Sequence, residues 1–369
     1  DDWFGGGLAV GDLDDDGVDD LVIGAPGEGV GSMADGAGAF HVIYGSTSGL
    51  TASGSQMWTQ NSGGVPDVAE TWDYFGGSIV VADVTADGVD DVVIGIPNES
   101  VGTAQNAGAV MVLPGSQAGV TSQGAQMWTQ DSPGVATSVM EDDRFGGGIA
   151  IGNFGGGPEL ELAVSAVGEQ LIEWPGSSSD PPSGAIVHEL LGTPSGLTGL
   201  GSRTWNQATP GIAESPEPHE TFGQELASGD MNGDGFDDLV VTVNEYLGGV
   251  TPTPGSPVHG AVHVIYGSSG GLVVTGSQFW HQDVAGVPGV STADDNFARF
   301  IQVVDLDRDG RAELLAGSDW DGAPYQRSEV EYAGTVNLFR GSSAGLTTTG
   351  AQLWFRGAYG LPGPPVYGS

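Results

Sequence analysis

The sequence predicts an all-β fold, a β-propeller of four-stranded antiparallel blades, and three recurring markers predict it. A Gly-led apolar strand, an Asp-rich loop and a strand ending in Trp return together along the chain. A Phe opens every repeat, with steps of 71, 70, 77 and 75 residues between successive copies. Markers that stay in register over such distances indicate duplication of one structural unit. The opening residues are Phe4, Phe75, Phe145, Phe222 and Phe297.

Five whole repeats fit into the 369 residues, so we expect one propeller domain of five blades over residues 1–369. Propellers typically contain about four to eight blades of four strands each. The alternative is that the chain forms part of a seven-bladed ring. The predicted repeat units are approximately residues 1–71, 72–141, 142–218, 219–293 and 294–369.

Four short segments of the first repeat are rich in Val, Ile, Leu, Tyr and Trp and are bounded by Gly, Pro, Asp and Ser. This composition is typical of strands. The second segment is apolar throughout, which indicates a strand buried on both faces. No repeat shows the i, i+3, i+4 periodicity of a helix. The predicted strands are residues 6–12, 21–25, 37–44 and 56–60.

The Asp-rich loop lies between the first and second strands and has the spacing of a calcium loop. Calcium takes about six to eight oxygen ligands, which alternating carboxylates around a sharp Gly turn supply. The pattern matches the first nine residues of an EF-hand loop, but a strand follows instead of a helix. We predict about four calcium sites, with the seventh residue of each loop offering its carbonyl. The predicted ligands are Asp12, Asp14, Asp16, Val18 and Asp20; Asp83, Thr85, Asp87, Val89 and Asp91; Asp230, Asn232, Asp234, Phe236 and Asp238; and Asp305, Asp307, Asp309, Arg311 and Glu313.

The third copy of the loop, residues 153–161, is predicted to bind no calcium. Gly155 and Gly157 bring no side-chain oxygen, and Pro158 follows the turn. In the second copy Thr85 offers a neutral, weaker ligand. The alternative for all copies is a solvated acidic turn, but carboxylates crowded into nine residues repel one another when no cation is present.

Composition restricts the function further. The net charge is −40, all eight basic residues are Arg, and Cys is absent. A field this negative repels nucleic acid and anionic membranes and attracts cations. Disulfides and Cys-type zinc sites are excluded, and no stretch is long and apolar enough for a membrane helix, so membrane insertion is not expected. The chain begins at Asp1 without Met, so we expect a removed signal peptide or an excised domain.

Specific motifs of the repeats are similar to those of a known family. Phe-Gly, then the Asp-rich loop, then Ile23-Gly24-Ala25-Pro26 resembles the FG-GAP repeat of integrin α-subunit propellers. The Tyr-Gly-Ser-x-x-Gly-Leu turns at residues 44–50 and 266–272 are similar to those of bacterial secreted members. The resemblance covers the whole chain and implies a calcium-binding propeller with its ligand surface opposite the calcium loops. Integrin-type rings have seven blades, the third unit lacks the Ala-Pro, and Ala298 replaces the Gly after Phe297.

Long, irregular loops between the second and third strands are the candidate ligand face. They comprise residues 167–182, 244–258 and 318–332, whereas the calcium loops and Tyr-Gly-Ser turns share the other end of the blades. Variable loops on a rigid scaffold are where binding residues usually lie. The alternative is that their aromatic side chains only pack within the loops. The candidate residues are Trp174, Tyr246, Trp320, Tyr325 and Arg327.

The sequence therefore favours a secreted, calcium-stabilised binding or adhesion module with an unidentified protein or glycan partner. A non-catalytic accessory propeller of a larger secreted hydrolase is the alternative, since FG-GAP-type propellers accompany hydrolases. An acid–base hydrolase is less favoured because the repeated carboxylates are used as metal ligands. The Gly-x-Ser-x-Gly strings at 267–271 and 341–345 lie in repeated turns without a following helix, so no enzyme activity is expected. The repeated Phe and Trp are expected to pack inside the blades.

Overall fold

The computed structural model has an all-β architecture built from five four-stranded antiparallel sheets. These sheets are the blades of a propeller, which confirms the predicted fold class. Blades 1 to 3 form most of one compact unit, while blades 4 and 5, with the loop at 152–157, form a second. The structure describes residues 2–31, 35–168, 184–216, 220–244, 260–289, 291, 295–319, 321, 323–325, 328–330 and 334–362.

In the first unit, each blade orders its strands as they occur in the sequence, and every neighbouring pair is antiparallel. Blade 1 consists of β1 (Leu8–Gly11), β2 (Asp20–Ala25), β3 (Ala39–Tyr44) and β4 (Thr51–Trp58). Blade 2 consists of β5 (Ser78–Ala82), β6 (Asp91–Ile96), β7 (Ala109–Leu113) and β8 (Gln126–Trp128). Blade 3 consists of β9 (Phe145–Gly152), β10 (Glu161–Ala166), β11 (Ile186–Thr193) and β12 (Gly196–Trp205).

The second unit repeats this design with one addition. Blade 4 consists of β13 (Phe222–Gly229), β14 (Asp238–Val243), β15 (Ala261–Tyr266) and β16 (Val273–Trp280). Blade 5 consists of β17 (Phe300–Val304), β18 (Glu313–Ser318), β21 (Thr335–Arg340) and β22 (Thr347–Trp354). A small hairpin of β19 (Ala323–Tyr325) and β20 (Ser328–Val330) is inserted between β18 and β21. A single 3-10 turn, Ala358–Gly360, is the one helical element among the described residues.

Burial follows the predicted strand roles. The second strands β6, β10 and β14 are buried at every position, because their apolar side chains are covered on both faces. The fourth strand of blade 1 is mostly exposed along its length. It begins at Thr51, earlier than predicted, because Thr51 pairs with Tyr44 across a β-bulge.

The Gln-x-Trp marker closes the outer edge of the blades through a local contact. Trp58 Nε1 donates a hydrogen bond to Gln56 Oε1 at 3.2 Å. Both side chains point to the same face because they lie two residues apart on a strand. Blades 2, 4 and 5 repeat the contact with the pairs Trp128–Gln126, Trp280–Gln278 and Trp354–Gln352.

The cores of the first unit lie between successive blades. The rings of Phe40 in blade 1 and Phe75 in blade 2 are 5.7 Å apart within one apolar cluster. A second cluster joins Val93 of blade 2 to Phe145 and Leu162 of blade 3. In the second unit, a cluster containing Val240 and Phe297 joins blades 4 and 5. Each blade is therefore stabilised by apolar burial against its neighbour within the unit.

The same close approach between the backbone of a Gly and the backbone of a Phe recurs at these junctions. Gly38, which begins the approach to β3, has φ +90°, and a Cβ there would lie 2.2 Å from the carbonyl oxygen of Phe75. Gly108 faces Phe145 and Gly260 faces Phe297 in the same way. The backbones approach so closely that no side chain fits between them.

The expectation that every opening Phe packs inside a blade is wrong for Phe4. Phe75, Phe145, Phe222 and Phe297 are buried, but the side chain of Phe4 is 62% exposed. Its ring contacts only the edge of His41 among the described aromatic pairs, at 5.4 Å between centroids. Phe4 belongs to the first of the five blades, and no described blade of its unit lies before it.

Replacing Gly38 with Ala should destabilise the protein more than replacing Gly49 with Ala. Both residues have a strongly positive φ, +90° and +102°, so each substitution should cost about 1–2 kcal/mol in backbone strain. Only Gly38→Ala adds a collision with the Phe75 backbone, worth about a further 1–3 kcal/mol. Urea unfolding of both variants measures the difference, and equal losses would contradict the Gly–Phe junction.

Candidate metal centres

The first Asp-rich loop is held in a closed turn by its own carboxylates. Asp12 Oδ1 accepts a hydrogen bond from the Asp16 N–H at 3.1 Å, and Asp12 Oδ2 accepts one from the Gly17 N–H at 2.8 Å. Asp16 Oδ1 accepts from the Val18 N–H at 2.9 Å. Positive φ angles at Asp15 and Gly17 turn the chain sharply. These hydrogen bonds and backbone angles hold the loop in a closed turn.

Asp20, the last carboxylate of this loop, is buried and joins three segments of the blade. Its Oδ2 accepts from the Leu13 N–H at 2.9 Å, and its Oδ1 accepts from the Gly45 N–H at 2.7 Å. Gly45 begins the turn between β3 and β4, so the calcium loop and this turn share one end of the blade, as predicted. Burial raises the pKa of Asp20, although these two hydrogen bonds oppose the rise.

Three carboxylates of the first loop converge in a way that suits a calcium ion. Ligand atoms of Asp12, Asp14 and Asp20 lie within 4.8 Å of one another. Asp14 Oδ1 is buried and accepts no hydrogen bond. The pKa of Asp14 is raised, first by burial and then by the charges of Asp16 and Asp12. A divalent cation would supply the missing partner and relieve this repulsion.

The same turn is built in blades 2, 4 and 5. In each, the first Asp accepts from the N–H groups of the fifth and sixth loop residues, and the fifth accepts from the seventh. The first residues are Asp83, Asp230 and Asp305, which accept from Asp87 and Gly88, Asp234 and Gly235, and Asp309 and Gly310. The seventh residues Val89, Phe236 and Arg311 donate to Asp87, Asp234 and Asp309.

The loops of blades 2 and 4 differ at the third position. Thr85 Oγ1 donates a long hydrogen bond, 3.4 Å, to Asp91 Oδ1, and Asn232 Nδ2 donates to Asp234 Oδ2 at 3.0 Å. Burial raises the pKa of Asp91 to about 6 and that of Asp238 to about 7. Protons therefore compete with cations more strongly for these buried carboxylates than for ordinary ones.

In blade 5 the guanidinium group of Arg340 lies beside two of the predicted carboxylate ligands. Ligand atoms of Asp305, Asp307 and Glu313 lie within 4.8 Å of one another. Arg340 Nη1 is 2.6 Å from Asp307 Oδ2 and 3.3 Å from Glu313 Oε1. The guanidinium therefore partly neutralises the charge that a calcium ion would balance. Among the described residues, groups of three acidic or His side chains within such distances occur only in the loops of blades 1 and 5, and the loops of blades 2, 3 and 4 have none.

Neighbouring loops are linked by an aspartate that the sequence reasoning did not single out. The Asp12 N–H donates to Asp90 Oδ2 at 3.0 Å, and the Asp90 N–H donates back to the Asp12 carbonyl at 3.2 Å. Asn153 and Asp237 repeat this exchange at 2.8 and 2.9 Å. The signal in the sequence was the doubled Asp at the end of the pattern, as in Asp90-Asp91 and Asp237-Asp238.

The opposite end of the blades carries a second set of buried polar groups that the sequence reasoning missed. Gln60 Nε2 donates to Glu99 Oε2 at 2.6 Å, and Gln282 Nε2 donates to Asp321 Oδ2 at 2.8 Å. Burial raises the pKa of Glu99 to about 9, with a hydrogen bond and charge from Asp67 adding to the rise. The available signal was a Gln two residues after the Trp in four of the five repeats, at Gln60, Gln130, Gln207 and Gln282.

The predicted ligand-face residues Trp174, Tyr246, Trp320 and Arg327 lie outside the described residues. Tyr325 lies in β19, within the hairpin inserted in blade 5. The hairpin replaces part of the irregular loop predicted for residues 318–332 with regular structure.

A cavity of about 630 Å³ lies beside blade 5, and Phe300, Gly334 and Trp354 contribute to its lining.

Blades that open with Phe-Gly and carry an Asp-rich loop before the second strand define a repeat propeller with acidic loops. The FG-GAP repeat model matches residues 4–43, 75–113 and 222–265, which lie in blades 1, 2 and 4. The chain therefore carries FG-GAP repeats in three places of a β-propeller, and it resembles the N-terminal domain of integrin α-subunits.

Curated relatives include two kinds of protein. The integrin alpha-5 of Xenopus laevis is 27% identical over 248 residues, covering 65% of this chain and 20% of that protein. The phosphatidylinositol-glycan-specific phospholipase D of Dictyostelium discoideum is 34% identical over 123 residues, covering 31% of this chain and 13% of the relative. The rat phospholipase D is 33% identical over 112 residues, with 30% and 13% covered. The matched region is a small part of each relative.

Among solved structures, two rhamnogalacturonan lyases align with this chain at low similarity. An exotype rhamnogalacturonan lyase has a TM-score of 0.43 at 12% identity, covering 92% of this chain and 48% of its own. The enzyme of Bacillus licheniformis has a TM-score of 0.44 at 12% identity, covering 95% and 55%. Among the described residues, no helix is long and apolar enough to cross a membrane.

Replacing Arg340 with Gln should raise the calcium affinity of the blade 5 loop roughly tenfold, equivalent to about 1.4 kcal/mol. The variant removes a positive charge that lies within 3.3 Å of two predicted ligands. Calorimetric titration of the metal-free protein with calcium measures the change. The gain should vanish when Asp305→Asn is added, and a gain that persists in the double variant would contradict the assignment.

Proposed function

We propose that this chain is a calcium-stabilised, non-catalytic propeller module of a secreted protein, and that it binds a protein or glycan partner. The observation that carries the calcium part is the convergence of three carboxylates in the loop of blade 1. Its three converging carboxylates include Asp14, whose buried Oδ1 has no hydrogen-bond partner. The similar turns of blades 2, 4 and 5 support about four such sites.

Calcium supports an extracellular location. Extracellular modules bind calcium with dissociation constants of about 10⁻⁴ to 10⁻³ M, concentrations that the cytosol does not reach. The net charge of −40 favours the same environment, because free calcium would screen and bind the acidic loops. Similarity to integrin alpha-5 also supports an extracellular propeller module.

The binding role rests on the division between the two ends of the blades. One end is occupied by loops of uniform length, tied together through contacts such as Asp12 with Asp90. The loops at the other end differ in length from blade to blade and carry Trp174, Tyr246, Trp320, Tyr325 and Arg327. Aromatic residues and Arg are the residue types that most often dominate binding energy at interfaces.

A second candidate is an accessory propeller within a larger enzyme. The similarity to phosphatidylinositol-glycan-specific phospholipase D favours it, and the match spans only 13% of that relative. In this case the propeller positions or recognises a substrate for a catalytic domain elsewhere in the polypeptide. Sequencing the complete gene distinguishes the two candidates, because only the second requires a catalytic domain in the same product.

Removing calcium should lower the melting temperature by many degrees. A site held at about one hundred times its dissociation constant adds about 2.7 kcal/mol to the stability of the folded protein. Differential scanning calorimetry with excess chelator, and then with calcium restored, measures the shift. An unchanged melting curve in chelator would contradict structural calcium.

Two variants test whether the acidic loop of blade 1 is the source of the calcium-dependent shift in melting temperature. Asp14→Asn removes a ligand charge at a side chain whose Oδ1 accepts no hydrogen bond, so it should reduce the calcium-dependent part of the shift. Asn153→Ala alters the first position of the loop predicted to bind no calcium, so the calcium-dependent part should stay unchanged. Equal reductions in both variants would contradict the loop assignment.

Exchanging the loop at 318–332 for the shorter one at 97–108 should abolish partner binding without changing calcium-dependent stability. A glycan array and a pull-down of biotinylated extracellular proteins serve as probes. The matched control exchanges the turn at 46–50 for the one at 116–120, which lies at the calcium end and should leave binding intact. Loss of binding only in the control would place the partner at the calcium end instead.

A further inference from the structure

A polar pocket of about 190 Å³ lies between blades 4 and 5, and we name it the blade 4–5 pocket. It lies at the end of the strands that faces away from the acidic loops. β14 leaves its acidic loop at Asp238 and ends at Val243, while β17 begins at Phe300 and leads into the next acidic loop. The lining side chains include Gln224, Thr242, Asn244, Asn296 and Arg299.

The blade 4–5 pocket occurs where a glycine of the repeat is replaced. In blade 1, a Cβ on Gly24 would lie 1.9 Å from the carbonyl oxygen of Gly76 in the next blade, and Gly95 of blade 2 has the same constraint at 2.1 Å. Thr242 holds this position in blade 4 and carries a Cβ, so the backbones of blades 4 and 5 cannot approach as closely. Thr242 and Ala298, the counterparts of Gly24 and Gly76, both line the pocket.

Two further positions are small or apolar in the first three repeats but polar in the last two. The second residue after the opening Phe is Gly in repeats 1 to 3, whereas it is Gln224 in repeat 4 and Arg299 in repeat 5. The residue after the second strand is Pro, Pro and Val in repeats 1 to 3, whereas it is Asn244 and then Asp319. Three blades form without polar side chains at these positions, which indicates that blades 4 and 5 use them for something other than folding.

Hydrogen bonds hold the blade 4 wall of the pocket in place. Asn244 Oδ1 accepts the Thr221 N–H. Thr242 Oγ1 accepts the Glu225 N–H at 2.9 Å and donates to the Glu225 carbonyl at 3.3 Å, which fixes the backbone next to Gln224. Gln224 itself is exposed, so a ligand can contact its amide. An exposed amide on a fixed backbone needs little ordering when a ligand binds.

The charges around the blade 4–5 pocket favour a neutral ligand. Arg299 is the one charged side chain among the described lining residues, and its Nη1 is 3.2 Å from Asp319 Oδ2. An anionic ligand would compete with Asp319 for the guanidinium and would be repelled by the net charge of −40. A cationic ligand would face the guanidinium itself. A neutral, polar ligand meets neither penalty.

The chemistry of the lining matches a sugar ring. The side-chain amides of Gln224 and Asn296 both donate and accept hydrogen bonds, as hydroxyl groups do. Phe300 follows Arg299, is 57% exposed, and its ring centroid lies 5.6 Å from the guanidinium carbon. An apolar ring therefore lies beside the polar groups, and a sugar combines hydroxyls at its edge with C–H groups on its faces. Pockets for drug-sized ligands measure about 300–1,000 Å³, so a pocket of 190 Å³ suits a single ring.

We propose that the blade 4–5 pocket binds one neutral sugar ring of a glycan, with Gln224, Asn296 and Arg299 donating hydrogen bonds to its hydroxyl groups. The proposal rests on the binding role proposed above for this end of the blades, and it names the class of partner. A protein partner would typically insert an aromatic or Arg anchor into a well-packed recess. Amide, hydroxyl and guanidinium groups line this one.

Saturation-transfer NMR of the full chain, with free glucose, galactose, mannose and N-acetylglucosamine as probes, tests the site. At least one of these sugars should bind, and Gln224→Ala should weaken that binding about tenfold because it removes a hydrogen-bonding amide. Gln302→Ala is the matched control, since it removes an exposed amide of β17 outside the pocket lining and should keep wild-type affinity. Wild-type affinity in Gln224→Ala, or no binding of any of the four sugars, would overturn the proposal.

A second variant protects the test against misfolding. Asn296 has φ +51°, a left-handed conformation that Gly adopts without strain. Asn296→Gly should therefore keep the melting temperature close to that of the wild type while sugar binding falls about tenfold. Unchanged sugar binding in a folded Asn296→Gly protein would contradict the assignment.

Ionic strength and the partner screen separate this proposal from the broader binding role. A neutral sugar should bind equally well at about 0.05 and 0.5 M salt, because no charge is neutralised. An affinity that falls steeply with salt would indicate a charged ligand and overturn the proposal. A protein captured equally by the wild type and Gln224→Ala, with no sugar bound, would overturn the sugar site and leave the binding role standing.

Discussion

In blades 1, 2 and 4, a buried carboxylate at the end of the acidic loop accepts the hydrogen bonds that hold the loop and the turn after the third strand together. Asp20 accepts N–H groups from Leu13 and from Gly45, and so it joins the start of the loop to the turn after β3. Asp91 does the same with Val84 and Gly115, and Asp238 with Met231 and Gly267. One side chain thereby fixes three separate segments, and it also stands beside the predicted cation.

The same loops connect packing to charge. The second loop residue is apolar and buried in the clusters between blades at Leu13, Val84 and Met231. The hydrogen bonds that shape the loop therefore also position a core residue. In blade 5 the equivalent Leu306 is 51% exposed, and Arg340 takes part in neutralising the acidic side chains. Buried acid is therefore balanced in blade 5 by an arginine, and at Glu99, whose pKa is raised to about 9, by a proton.

The sequence predicted most of the fold, because its markers repeat and depend on local chemistry. Period, blade number, strand order and the Gln-x-Trp contact all follow from residues close together in the chain. It did not predict the exposure of Phe4, the position of Arg340 beside Asp307, or the buried contact between Gln60 and Glu99. Each of these depends on which blade lies beside the residue, and no local pattern encodes that. Gln60 and Glu99, for example, are 39 positions apart and meet only once blade 2 stands beside blade 1.

Blade 3 separates the structural role of the acidic loop from metal binding. Its loop has lost most oxygen ligands, yet Phe154 remains fully buried and Asn153 still exchanges hydrogen bonds with Asp237. Packing and the link to the neighbouring loop therefore persist where the calcium ligands do not. If bound ions formed the surface that binds the partner, the loop of blade 3, which lacks the ligands, would interrupt that surface. An ion that reinforces an already packed turn can instead be lost from one blade, since the remaining contacts keep that loop in place.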